Sequence, residues 1–230
     1  MIFNQLFDAK SSTYTYIVSS GKGREALIID PVIENINEYI NLLKNLNLKL
    51  VKVIDTHIHA DHISGLNELN KQTNCSRIMG ENSESEVIDI RVSDNEKIKI
   101  ENIELTSIYT PGHTKCSYSF LMDNCVFTGD TLLINSSGRT DFQGGNALEQ
   151  YESIFNKLLK LPDETLVYPG HDYNGKKFSK IIDEKNNNPR LKVNSPKEYA
   201  EIMNNLNLAH PKMIDIAVPA NKKGLTLNQI

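Results

Sequence analysis

The residues with the clearest chemical potential lie together at positions 56–62, in the sequence Thr-His-Ile-His-Ala-Asp-His. Imidazole is the commonest side-chain ligand of metal ions, and a carboxylate often accompanies it. In an extended loop, residues two positions apart point the same way. His57 and His59 can therefore converge on one ion, while Asp61 and His62 face a neighbouring position. A lone histidine is more often an ordinary polar residue, but this spacing predicts a metal site.

The elements around this segment predict where it lies. Residues 50–55, Leu-Val-Lys-Val-Ile-Asp, are apolar, rich in β-branched side chains and too short for a typical helix, so they predict a buried strand. A helix is predicted just beyond Gly65. The histidines therefore follow the C-terminal end of a strand, where open α/β sheets usually bind their ligands.

The motif resembles the signature of the metallo-β-lactamase superfamily. That resemblance implies three more ligands, a distant histidine, an aspartate and a last histidine, each after a strand. His113 follows a predicted strand and a Pro-Gly turn, and Asp130 follows a strand and Gly129, which allows close approach of the backbone. His171 follows a strand that ends near residue 169. Only His210 is left without a role.

Hydrophobic periodicity predicts the other elements. Strands are predicted at 2–7, 14–19, 25–30, 77–79, 98–100, 103–108, 117–121, 125–128 and 165–169, and helices at 35–47, 147–160, 177–187 and from 195 onward. Leu148 is among the residues expected to face inward from the helix at 147–160. The polar segment 81–95 is interpreted as a surface loop, and 208–230 as a tail that wraps over the surface.

These elements form two halves, each of strands followed by helices. This order predicts an α/β (α+β) fold of the αββα sandwich type, with two mixed β-sheets, helices on the outer faces and the metal at one edge. We expect residues 1–230 to form a single metallo-β-lactamase-like domain, with a short helical tail from about residue 190 to 230.

Composition excludes several classes of function. The chain has 230 residues, 39% of them hydrophobic, which suffices for one large domain with a substantial core. A net charge of −4 without a basic stripe argues against nucleic-acid binding. Cys75, Cys116 and Cys125 show no paired spacing, as expected of free thiols in a reducing compartment. Without a signal-peptide pattern or a membrane-spanning run, we expect a cytoplasmic protein with no membrane partner.

A glycine-rich polar loop at 136–145 contains Arg139, nine residues after the expected metal ligand Asp130. Two interpretations are equally supported by spacing alone. Arg139 is either an exposed loop residue or a fork that holds a substrate carboxylate through two hydrogen bonds.

Several segments together resemble the persulfide dioxygenase (sulfur dioxygenase) family of the same superfamily. They are 138–143 (Gly-Arg-Thr-Asp-Phe-Gln), 168–173 (Tyr-Pro-Gly-His-Asp-Tyr), 188–191 (Asn-Pro-Arg-Leu), 202–208 and 217–221. The resemblance covers almost all of residues 1–221. One departure is Gly170, where alanine is common in the family. We do not expect it to affect metal binding.

The resemblance implies one Fe(II) per chain, held by His57, His113 and Asp130. Two histidines and one carboxylate leave three coordination positions open, which suits O₂ and a substrate together, as in non-haem oxygenases. The implied reaction oxidises glutathione persulfide with O₂ to sulfite and glutathione.

The resemblance also implies roles for residues around the metal. Arg139 and Tyr173 would hold the glutathione part of the substrate, and Asp61 and His171 would orient ligands or water by hydrogen bonds. The remaining motif histidines, His59 and His62, would line the pocket or support the ligands. A homodimer is a further expectation.

An alternative is a hydroxyacylglutathione (thioester) hydrolase of the glyoxalase II type, with two metal ions, often zinc. His57, His59 and His113 would hold one ion, Asp61, His62 and His171 the second, and Asp130 would bridge them. A bridging hydroxide would then attack the thioester, because metals lower the pKa of bound water to about 7. The metal motifs fit both families. The short segment after His171 favours the dioxygenase, since glyoxalase II has a longer helical domain there. A metal-binding scaffold without activity is a third hypothesis, which an intact ligand set disfavours.

Overall fold

The computed structural model describes all 230 residues and contains two six-stranded sheets. The first sheet contains, in this order, β1 (Ile2–Asp8), β2 (Thr13–Ser19), β3 (Glu25–Ile29), β4 (Lys49–Ile54), β5 (Ser76–Gly80) and β6 (Ile90–Val92). Its first three strands are antiparallel and the pairs from β3 to β6 are parallel. The sheet is therefore mixed, as predicted.

The second sheet follows in the chain and is also mixed. It contains β7 (Lys97–Ile100), β8 (Ile103–Tyr109), β9 (Tyr118–Met122), β10 (Cys125–Gly129), β11 (Leu166–Pro169) and β12 (Ser179–Lys180). Only β10 and β11 pair in parallel. Their parallel alignment places the residues after both strands, Asp130 and His171, at the same edge.

The two sheets pack face to face because each sheet presents an apolar face, which β7 and β8 show as an alternation of buried and more exposed residues. In β8, for example, Ile103 and Leu105 are buried and Glu104 between them is exposed. The central layer contains side chains from both sheets, among them Tyr16, Leu27, Ile29, Ile54, Ile98, Leu105, Tyr118, Phe120 and Phe127.

Six α-helices cover the outer faces of the sheets. They are α1 (Ile36–Asn45), α2 (Leu66–Thr73), α3 (Ala147–Tyr151), α4 (Ile181–Asn187), α5 (Pro196–Asn204) and α6 (Ile214–Lys223). Buried residues of α1, α2 and α6 form one cluster against the first sheet, and those of α3, α4 and α5 form another against the second. The predicted αββα sandwich is confirmed. None of the helices is long and apolar enough to span a bilayer.

Four sequence-based expectations about local structure are wrong. The segment 81–95 is not only loop, since β6 pairs with β5 and buries Val92. A strand of three residues is too short to show a period. Leu148 is 50% exposed, because a π-helical turn at Glu152–Lys157 follows α3 and shifts the phase of the later apolar residues.

The C-terminal segment 208–230 does not only wrap over the surface, as was expected. It contains α6, which buries Ala217, Ala220 and Asn221. Pro219 lies inside this helix, and a proline in a sequence normally argues against a helix. The helix predicted from residue 177 begins only at Ile181, because 179–180 pair with β11 as β12. The division into one domain and a tail stays a prediction.

Candidate metal centre

The predicted ligands lie where four strands end at one edge of the sandwich. The segment 56–62, which we call the histidine loop, follows β4. His113 follows β8, Asp130 follows β10 and His171 follows β11. Gly129 has a positive φ of 50°, and a Cβ there would lie 2.5 Å from Thr56 Oγ1, so only glycine permits this approach of β10 to the histidine loop.

His57, His113 and Asp130 form a compact ligand set. One ligand atom from each lies within 4.8 Å of the others. The His57 and His113 rings are nearly perpendicular, with centroids 4.9 Å apart, and His113 Nε2 is 3.6 Å from Asp130 Oδ2. Asp130 Oδ1 is buried without a hydrogen-bond partner. Buried polar atoms are normally satisfied, so this arrangement fits a metal ion, whose bonds to such atoms are about 2 Å long.

Hydrogen bonds fix which imidazole nitrogen can bind an ion. His113 Nδ1 lies 2.7 Å from the carbonyl oxygen of Arg139, which can only accept, so Nδ1 carries the proton. Thr56 Oγ1 donates to Asp30 Oδ2 at 2.9 Å and therefore accepts from His57 Nδ1, also at 2.9 Å. In both ligands Nε2 is left free to bind a metal.

The protonation state of His57 also suits a ligand. Burial lowers the pKa of His57 well below its usual value, because the charged ring is disfavoured away from water, and the nearby His59 adds to the effect. A neutral imidazole is the form that binds metals.

His59 stands behind this set rather than within it. Its Nε2 lies 3.2 Å from Asp30 Oδ1, and both side chains are almost completely buried. Burial alone would lower the pKa of His59, but the carboxylates of Asp30 and Asp55 outweigh it and raise the pKa to about 10. Asp30 also accepts from the Thr56 backbone at 2.7 Å, so it organises both sides of the loop. Sequence reasoning did not single out Asp30 as a functional residue.

Asp61, His62 and His171 line the other side of the ligand set. His62 Nδ1 lies 2.8 Å from Asp61 Oδ2. His171 Nε2 lies 3.5 Å from Asp130 Oδ2 and 3.6 Å from Asp61 Oδ2, between the two carboxylates. Burial would lower the pKa of His171, but these carboxylates raise it above the usual value. The proposed orienting role of Asp61 and His171 stays a prediction.

Arg139 lies beside the site, but its fork already has a partner. Its Nε and Nη2 donate to Asp141 at 2.6 and 2.7 Å, and Nη1 donates to the carbonyl of Ala209 at 2.7 Å. The guanidinium also lies over the Phe142 ring, 4.6 Å from its centroid. A substrate carboxylate would therefore have to compete with Asp141, which sequence reasoning missed.

Tyr173 is 72% exposed at the mouth of the site. Its ring lies parallel to that of His171 with the centroids 6.1 Å apart. It is therefore available to a substrate that enters the cleft.

A cleft of about 650 Å³ joins most of these groups, namely His57, Asp61, His62, His113, Asp130, Arg139, His171 and Tyr173. Its walls include residues that the sequence did not reveal, namely Lys10, Ser11, His210, Lys212 and Met213. His210, to which no role was assigned, contacts the Phe142 ring edge-on at 5.1 Å between centroids. Lys10 and Lys212 come from distant parts of the chain, and no local pattern marks them as wall residues.

Comparisons with known proteins decide the family. Residues 9–92 and 85–171 match the metallo-beta-lactamase superfamily. The mouse protein named persulfide dioxygenase ETHE1, mitochondrial, is 40% identical over 97% of this chain and 88% of its own length. The chain belongs to the ETHE1 persulfide dioxygenase family. The expected family and fold are thus confirmed.

Solved structures and a second enzyme family refine this assignment. The crystal structure of ETHE1 from Myxococcus xanthus superposes with a TM-score of 0.94 at 45% identity, covering 96% of this chain and 98% of that one. A hydroxyacylglutathione hydrolase from Dictyostelium discoideum is 33% identical over 77% of this chain and 69% of its own length. Similarity to the ETHE1 family is therefore both higher and more complete.

Proposed function

We propose that this chain oxidises glutathione persulfide with O₂ to sulfite and glutathione, at one iron(II) ion held by His57, His113 and Asp130. The observation that carries the proposal is the compact ligand set of these three residues in a chain of the ETHE1 family. Iron so held would supply open positions for O₂ and for the terminal sulfur of the persulfide. Sulfite takes both oxygen atoms of O₂ and one from water, and the glutathione sulfur leaves as a thiol.

The chain's own groups prepare the site for this reaction. Thr56 and the Arg139 carbonyl bind Nδ1 of His57 and of His113, respectively, so that Nε2 of both rings would be free to hold the ion. His171 Nε2 lies 3.6 Å from Asp61 Oδ2 and 3.5 Å from Asp130 Oδ2, so His171 could hold a proton at Nε2 beside the proposed metal ligands. Arg139 and Tyr173 on the cleft wall are proposed contacts of the glutathione part.

Single cations of the cleft offer contacts to an anionic substrate. Lys10, Arg139 and Lys212 line its walls, and glutathione carries two carboxylates at neutral pH. The lining is not positive as a whole, because Asp8 and Glu34 belong to it and Glu34 pairs with Lys10 at 3.6 Å.

A thioester hydrolase with two metal ions, often zinc, is the second candidate. One specific observation favours it: His59 Nδ1 and His62 Nε2 are buried without partners, so both could bind an ion. Against it, the ligand atoms of His59 group with Asp61 and His62 rather than with His57 and His113, whose ion His59 would have to share.

Two measurements on the same preparation separate these candidates. The first counts metal ions per chain in protein purified with iron available. The second compares oxygen consumption with glutathione persulfide against hydrolysis of S-lactoylglutathione. One iron with oxygen consumption supports the proposal. Two ions with rapid hydrolysis and no oxygen consumption replace it with the hydrolase.

We also propose a cytoplasmic location and a homodimer, both of which stay predictions. The mouse and human relatives are named as mitochondrial. Fractionation of the source cells and the mass of the protein in solution are the respective measurements.

A further inference from the structure

The side chain of Asn221 on α6 reaches the histidine loop. It is 9% exposed and lies more than 150 residues from its partners in the sequence. Its Nδ2 donates to the carbonyl of His59 at 2.9 Å and to the carbonyl of His62 at 2.9 Å. Its Oδ1 accepts from the backbone N–H of Ser64 at 2.8 Å. One amide group therefore connects three backbone groups at residues 59, 62 and 64, in and just after the histidine loop.

The chemistry of these contacts requires an amide. Two carbonyls need two donors and a backbone N–H needs an acceptor, and among small side chains only asparagine provides both. Aspartate would place an oxygen against two carbonyl oxygens, and alanine would leave three buried backbone groups unpaired. Buried groups of this kind are costly to leave unsatisfied.

The helix that carries Asn221 is itself firmly held. Ala217 and Ala220 belong to the buried cluster that packs against the first sheet. The backbone carbonyl of Asn221 accepts from Ser85 Oγ at 3.3 Å. The side chain is therefore fixed on a packed element, as a group that positions a loop must be.

We propose that Asn221 is a positioning residue of the metal site. By holding the backbone on both sides of Asp61, it sets the direction of the side chains at 59–62, beside the proposed ligand His57, and so the affinity for the metal. This inference rests on the metal site proposed above, and it makes metal affinity depend on the C-terminal helix. Residues that orient metal ligands typically change affinity about tenfold to a hundredfold when they are removed.

Asn67 supplies a matched control. Its Nδ2 donates at 2.6 Å to the carbonyl of Gly224, the residue that follows α6. Asn67→Ala therefore loosens the same helix but leaves the contacts of segment 57–64 in place. A purely structural role of Asn221 predicts that both variants behave alike.

The experiment measures binding of Co(II) to the full chain by competition with a chelator, together with the visible absorption bands of bound Co(II). Asn221→Ala should bind about tenfold to a hundredfold more weakly and shift those bands, while Asn67→Ala should keep its affinity within about twofold. If Asn221→Ala does not fold, Asn221→Ser, which keeps one donor, should show an intermediate loss.

Several outcomes overturn the inference. Affinity within about twofold of the parent in Asn221→Ala or Asn221→Ser overturns the positioning role alone. An equal loss in Asn67→Ala shows that helix docking, not the amide, is responsible. A parent chain that binds no Co(II) overturns the proposed metal site, and this inference with it.

Discussion

The role of Arg139 can be tested by whether KM rises or falls in two variants, because its guanidinium fork is already bonded to Asp141. If Arg139 holds a glutathione carboxylate, it must first leave Asp141. Arg139→Ala should then raise KM, since it removes the substrate contact. Asp141→Ala should lower KM, since it frees the fork. If Arg139 only ties its loop to the tail through Ala209, both variants should raise KM.

The expected size of the change in KM follows from how far solvent reaches the Arg139–Asp141 pair. A charge-assisted contact with a carboxylate contributes about 1.5–3 kcal/mol. The Asp141 side chain is 58% exposed, so solvent screens the existing pair, which is worth about 0.5–1 kcal/mol. The net loss of substrate-binding free energy in Arg139→Ala is then about 1–2 kcal/mol, which raises KM roughly five- to thirtyfold. Freeing the fork in Asp141→Ala should lower KM roughly two- to fivefold.

The assay is oxygen consumption at varied glutathione persulfide concentration, which gives KM and kcat separately. We expect the effect mainly in KM. The carboxylate of glutathione is far from the reacting sulfur and is therefore held equally in the ground state and the transition state. Arg139→Lys should restore little, since lysine lacks the fork. Arg77 is a control, because it makes the same forked pair with Asp89 away from the cleft.

The outcome that refutes this reasoning is specific. A KM within about twofold of the parent in Arg139→Ala would remove Arg139 from substrate binding. A raised KM in Asp141→Ala would assign the pair to loop structure instead. An effect of similar size in Arg77→Ala would attribute the change to general destabilisation.

Three further predictions concern the metal. His57→Ala and Asp130→Ala should each abolish iron binding, as measured by metal analysis, and two tightly bound ions per active chain would contradict the single site. Thr56→Val should weaken metal affinity about tenfold to a hundredfold in a chelator competition, because it removes the acceptor for His57 Nδ1. Removing the metal should lower the thermal midpoint, since a ligand at a hundred times its Kd stabilises by about 2.7 kcal/mol. An unchanged midpoint would show that the metal does not bind the folded state preferentially.

Local sequence determined most of the sandwich and the location of the candidate ligands. Each ligand follows a short run of β-branched or aromatic residues, and both features are visible within about ten residues of the chain. Strands that end at one edge bring His57, His113, Asp130 and His171 together, so the pattern of strands was sufficient to predict that edge. The prediction was wrong where local pattern carries little information, as in the three-residue strand β6.

Only the tertiary structure decided how the site is held. Asp30 behind His59, Asp141 on the fork of Arg139 and the amide of Asn221 on the histidine loop are single side-chain contacts without a sequence period. Asn221 and His59 are 162 positions apart, and the helix that carries Asn221 contains a proline. Such contacts depend on how packed elements bring distant side chains together. Hydrophobic periodicity shows which face of a helix or strand is buried. It carries no information about which polar side chain from another element that face will contact.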